Sequence, residues 1–150
     1  KEWFDGTVIL SGSIGDGFSV ASSLALGADF AYMGTRFIAT KEANADQSYK
    51  EMLIESAADD IVYSNLFTGV SGNYLKPSIK NAGLDPNNLP EADKSAMNFG
   101  SGGNTDAKAW KDIWGSGQGI GGIKDDPSVG DLVERIIEEY NQAKKEFNDK

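Results

Sequence analysis

Residues 7 to 34 carry the pattern that most narrows the fold: the apolar run TVIL, the loop SGSIGDG, a helical stretch, and a second apolar run, DFAYMG. TVIL (Thr7 to Leu10) is short, β-branched and apolar on both sides of the alternation, as a buried parallel strand reads. Asp16 to Leu26 reads as a helix with Phe18, Ala21, Leu24 and Ala25 on one side, and Gly27 is placed to stop it. Strand, loop, helix, strand in so few residues predicts two parallel strands joined by a right-handed helical crossover, and hence an α/β fold.

The loop raises a question of chemistry. Three glycines and two serines in seven residues leave backbone N–H groups open to close approach. A helix N-terminus beside them would add donors and a favourable dipole for a phosphate. The second strand ends in MGTRF, so two successive strands each run into a small glycine turn. Ligands collect at the carboxyl ends of parallel strands, and the last two loops of eight-stranded barrels often hold phosphate. Gly12, Ser13, Gly34 and Thr35 could supply the donors, but composition alone equally allows two plain tight turns. Arg36 could neutralise a phosphate or pair with a neighbouring carboxylate.

Further along, a helix is expected from near Asn44, with Tyr49, Met52, Leu53 and Ala57 on one face. Residues 61–74 alternate loosely through FTGVSGNY and predict an irregular extension or hairpin. Residues 81–106 hold Pro86, Pro90 and many Gly, Asn and Asp, and predict a long loop. Trp110 and Trp114, four apart, are expected to pack from a short helix. GQGIGG (117–122) matches the dinucleotide pattern G-x-G-x-x-G, but it follows KAWKDIW and leads into IKDDP rather than joining a strand to a helix. It is therefore expected to be a loop lying close to another backbone or a flat ligand, with Gln118 as its polar anchor. Ser128 and Asp131 predict a capped terminal helix whose stripe of Val129, Leu132, Val133, Ile136, Ile137, Tyr140 and Phe147 packs.

Composition removes several functions. With no cysteine and no histidine, thiolate chemistry, the usual zinc sites and an imidazole base are absent from these 150 residues, so no metal site is expected. A net charge of -9, without a basic stripe, argues against nucleic acid. No apolar stretch is long enough to cross a bilayer, and KEWFDG reads neither as a signal peptide nor as an initiator sequence. The chain is expected to begin inside something longer.

The residues then carry a family resemblance. SGSIGDGFSVASSLALGADFAYMGTRFIATKEA resembles a run of the nitronate monooxygenase (2-nitropropane dioxygenase) family, continuing through SYKEMLIESAADDIVYSNLFTGVSGNYLKPSI and resuming at KAWKDIWGSGQGIGGI. The resemblance implies the C-terminal part of an FMN-dependent (β/α)8 TIM barrel, with TVIL as strand seven and DFAYMG as strand eight. Residues 1–80 would be its last βα units, and 81–150 an extension of long loop and terminal helix packed on the barrel. FMN phosphate would rest on Gly12, Ser13, Met33, Gly34 and Thr35, Gln118 would reach toward the flavin ring, and Tyr32 would stand near the cofactor. Many relatives have Gly-Gly where this chain has Gly12-Ser13, and glutamine where it has Tyr32.

The family's catalytic histidine lies upstream, so the resemblance places no catalytic residue here. A whole barrel takes about 250 residues, which makes these 150 a fragment with little or no turnover of its own. The implied parent is a cytoplasmic enzyme that oxidises nitronates with dioxygen. The fragment would form a homo-oligomer or pair with the missing barrel half. Two alternatives stand beside it: an FMN-dependent enoyl-acyl-carrier-protein reductase, or a stand-alone phosphate-binding module that acts by oligomerising.

Overall fold

A computed structural model describes residues 2–91 and 111–149, and its first strand begins two residues later than the apolar run suggests. Val8 is held by Asp29, whose carboxylate accepts the Val8 N–H at 2.8 Å and whose own N–H donates to the Val8 carbonyl at 2.8 Å. Strand β1 then covers Ile9–Ser11 and pairs in parallel with β2, Phe30–Tyr32, in the register Ile9 to Phe30 and Ser11 to Tyr32. Helix α1, Gly17–Ala25, connects them and packs on β2, so the predicted βαβ unit is present and the architecture is α/β. The expected burial is not. Ile9 is 58% and Phe30 60% exposed, because one crossover helix cannot cover both faces of a two-stranded sheet.

Asp16 starts α1 through a capping box. Its carboxylate accepts the Ser19 N–H at 2.7 Å, and Ser19 Oγ accepts the Asp16 N–H at 3.1 Å. The helix buries Gly17 and Ser23 rather than the expected face, while Phe18 and Ala25 stay exposed. The reason is its neighbour, α5, Val129–Asn148, whose backbone runs so close that a Cβ at Gly17 would land on Ile136 and Tyr140. Ser128 caps α5 as predicted, accepting the Asp131 N–H at 3.1 Å. Its apolar stripe is used only in part: Leu132 is buried, whereas Val133, Ile137 and Phe147 are exposed.

Between these elements lie α2, Thr35–Ile38, and α3, Gln47–Glu55. The latter starts at Gln47, not Asn44, because the Asp46 carboxylate accepts the Ser48 N–H at 2.8 Å and turns the chain there. Leu53 is buried as expected, but Ala57 lies beyond the helix and is exposed.

The described residues divide into two compact units, one from 1–55 with 117–150 and the other from 56–116. In the second unit, β3 (Ile61–Ser64) and β4 (Gly72–Leu75) form the antiparallel hairpin that the sequence left open, followed by α4, Lys76–Asn81. Phe67 and Tyr74 meet edge to face, 4.9 Å apart, in a core with Leu66, Ile79 and Ile113. Trp114 is not helical: its carbonyl accepts the Leu75 N–H at 2.8 Å and its N–H donates to Ser78 Oγ at 3.0 Å, so the backbone is extended beside β4. Trp110 and most of the expected 81–106 loop fall outside the described residues. Among those described, no helix is long and apolar enough to cross a membrane.

Candidate functional site

Two turns leave the carboxyl ends of β1 and β2 side by side. In the first, Gly12 has φ +97° and Ser13 φ +56°, the one non-glycine residue in the left-handed region among those described. The second is Gly34-Thr35, entering α2. A Cβ built at Gly12 or Gly34 meets nothing within 4 Å, so both backbones border open space.

That space is a cleft of about 160 Å³ in which Gly12, Ser13, Tyr32, Gly34 and Thr35 come together, with Arg36, Gly117, Gly119 and Ile123 among the other lining residues. Met33 is half-buried and Gln118 exposed, and neither lines it. Ligand sites for whole drug-sized molecules run to several hundred Å³. This cleft has the size of a phosphate end rather than of a complete nucleotide. A larger groove of about 580 Å³ lies along α1 and α5, between Phe18, Leu26 and Phe147. It is mainly apolar and no backbone turn opens into it, so its size alone makes no chemical site.

The N-terminus of α1, which the loop composition suggested as the anion site, is already filled from within the protein. Gly17 N–H donates to Glu139 Oε2 at 2.8 Å, Ser19 N–H to Asp16, and Gly15 N–H to Ser19 Oγ at 3.2 Å. Two carboxylates thus occupy the positive end of the helix. An anion has the two glycine turns left to it.

Arg36 forms the floor and makes the carboxylate pairing that the sequence allowed. Its side chain is 3% exposed, Nη2 meets Asp125 Oδ1 at 2.7 Å, and Nη1 donates to the carbonyls of Ala39 at 3.2 Å and Asp125 at 3.1 Å. Arg135 takes the other side of the same carboxylate, with Nη2 at 2.7 Å from Oδ2 and Nη1 at 3.1 Å from Oδ1. Hydrogen bonding from Arg135 lowers the Asp125 pKa, and the charges of both guanidinium groups add to it. Burial lowers that of Arg36 against the pull of Asp125. Asp125 thus sits between two guanidinium groups, and Glu139 adds a further carboxylate near both of them.

The segment from Gly117 closes the site from the far end of the sequence. Gln118–Gly122 is a short 3-10 turn. Gly117 N–H donates to Thr35 Oγ1 at 2.8 Å, and a Cβ at Gly119 would stand 3.0 Å from the Ser13 carbonyl. The expectation that GQGIGG lies against another backbone is met at Gly119. Its polar anchor is the Gly117 N–H rather than the Gln118 side chain. Glycine spacing had marked this segment, whereas nothing in IKDDP singled out Asp125. Among the described residues no group of His, Cys, Asp or Glu side chains could hold a metal ion.

The model of the nitronate monooxygenase family matches residues 6–139. A nitronate monooxygenase of Paraburkholderia phytofirmans is 35% identical over 79 residues, 53% of this chain and 22% of the relative. Another, from Neurospora crassa, is 28% identical over 93% of this chain and 39% of its own length. The chain therefore spans less than half the length of either relative. Among solved structures, a mutant of FabK from Thermotoga maritima superposes with a TM-score of 0.70 at 22% identity, over 98% of this chain and 46% of that one.

Proposed function

The chain belongs to the nitronate monooxygenase family, and from that premise we propose that β1 and β2 are the seventh and eighth strands of a flavin-binding (β/α)8 barrel whose last two turns hold the phosphate of FMN. The observation that carries this reading is the cleft where Gly12-Ser13 and Gly34-Thr35 face the same open space. Its volume fits the phosphate end of the cofactor, and residues of both turns line it.

When bound, FMN would supply the redox chemistry between an alkyl nitronate and dioxygen. The residues of this chain anchor and orient. Gly12, Ser13, Gly34 and Thr35 take the phosphate, Thr35 adding its hydroxyl, while Met33, outside the cleft lining, leads the chain from β2 into the second turn. Tyr32, 62% exposed at the rim, and Gln118, exposed beyond it, are assigned to the flavin end. With no histidine, these residues offer no imidazole base. Turnover is assigned to a protein of the relatives' full length, and the 150 residues alone are expected to consume no oxygen with an alkyl nitronate.

A fluorescence titration of the chain with FMN and with riboflavin tests the reading. Saturable FMN binding at least tenfold tighter than riboflavin is expected. Gly34→Val, whose Cβ enters open space, should abolish that preference by narrowing the cleft, with Tm measured to check folding. Equal binding of the two flavins, or none, would overturn the proposal. The enoyl-thioester reductase alternative shares the barrel. Nitronate-dependent oxygen uptake set against NAD(P)H oxidation by the full-length protein separates the two.

A further inference from the structure

Residues 117–125 touch both glycine turns and the floor of the cleft, although 82 residues separate Gly117 from Thr35 and 89 separate Asp125 from Arg36. Three independent contacts do this. Gly117 N–H binds Thr35 Oγ1 at 2.8 Å, Gly119 lies flat on the Ser13 carbonyl, and Asp125 holds Arg36 with both its carboxylate and its carbonyl. We propose that this segment is a clasp that sets the selectivity of the cleft for a phosphate monoester, with Gly117 and Gly119 as positioning residues. The inference rests on the phosphate reading above.

The physical argument turns on the Thr35 hydroxyl. A hydroxyl offers one proton and two acceptor lone pairs. Gly117 N–H takes one of those lone pairs, which limits how the hydroxyl turns and biases it toward donating its proton on the side where Thr35 borders the cleft. Without that N–H the hydroxyl can turn and present lone pairs to an anion, which repels it. Gly119 acts on the other turn. A side chain there would press on the Ser13 carbonyl and tilt the N–H groups of the Gly12-Ser13 turn. Fixing donors in advance of the ligand raises affinity by removing the ordering cost at binding.

At Gly117 a φ of -75° suits proline, which deletes the N–H and sets its ring carbons against Thr35 Oγ1, 3.3 Å from a Cβ built there, so Gly119→Ala is measured beside it as an independent probe. FMN and riboflavin affinities are measured for wild type, Gly117→Pro, Thr35→Val, the double variant, Thr35→Ser and Gly119→Ala, with Tm for each. Gly117→Pro is expected to lower the FMN-to-riboflavin preference about fivefold, the size of one hydrogen bond, with riboflavin affinity unchanged. Thr35→Val should remove the preference to at least that extent. The double variant should lose no more than Thr35→Val alone, and Thr35→Ser should retain the preference. Should Gly117→Pro fail to fold, Gly119→Ala carries the test with an expected fall of similar size.

A preference unchanged in Gly117→Pro and Gly119→Ala, with Tm lowered or not, reduces the clasp to packing and overturns this inference alone. Losses that multiply in the double variant overturn the route through Thr35. A wild type with no preference for FMN overturns the phosphate reading and the clasp with it.

Discussion

Ser13 spends its place in the turn at a backbone angle that glycine occupies without strain. At φ +56° its Cβ crowds the backbone, a cost on the order of 1 kcal/mol, yet its N–H points wherever the turn directs it. Replacing it by glycine removes that cost while loosening the unfolded chain, so the two effects partly offset. Ser13→Gly is expected to raise stability by about 0.5 kcal/mol in urea denaturation and to leave FMN affinity as it was. A loss of stability would mean that the Ser13 hydroxyl makes a contact worth more than the strain. Thr35 differs in kind, because its side-chain oxygen is engaged by Gly117 and its backbone angle is ordinary. Adjacent on the wall of one cleft, the two residues have opposite reasons for being there.

Helix α1 shows how one small residue decides the packing of an element. Gly17 lies against the α5 backbone, and its N–H ends on the Glu139 carboxylate. Gly17→Ala must push the helices apart, and a loss of about 1 to 3 kcal/mol is expected from the shift in thermal or urea unfolding. A loss under about 0.5 kcal/mol would mean that the helices part easily at this end. The same pair marks the limit of what the sequence conveys. Local signals were legible: the Ser128 cap, the βαβ order, and the hairpin after Ile61 held open as one of two readings. Faces were not, because helical periodicity identifies Phe18 and Ala25 as apolar but carries no information that a backbone would approach Gly17 instead. Of the site, the two turns could be read from glycine content. The occupation of the α1 N-terminus by Glu139 could not, since it joins residues 122 apart. Asp125 was hidden for the same reason.

For the molecule as a whole, proton binding ties Asp125 to stability. Its pKa is lowered in the folded state, first by hydrogen bonding to Arg135. The group therefore stabilises the fold above its unfolded value of about 3.9 and ceases to do so as pH falls through the lower folded value. At 43% exposure the effect is trimmed by solvent. Urea midpoints should fall on acidification from about pH 5 toward pH 3, and Asp125→Asn should flatten part of that limb. Parallel curves for the two proteins would show that other carboxylates carry it all. The discontinuity of the first unit, residues 1–55 with 117–150, has a consequence in time as well as in space. Synthesis runs from the N-terminus at about 5–20 residues per second, so a nascent chain owns both glycine turns for on the order of ten seconds before residues 117–125 exist to fasten them. A ligand caught firmly in this cleft would announce that synthesis had passed residue 125.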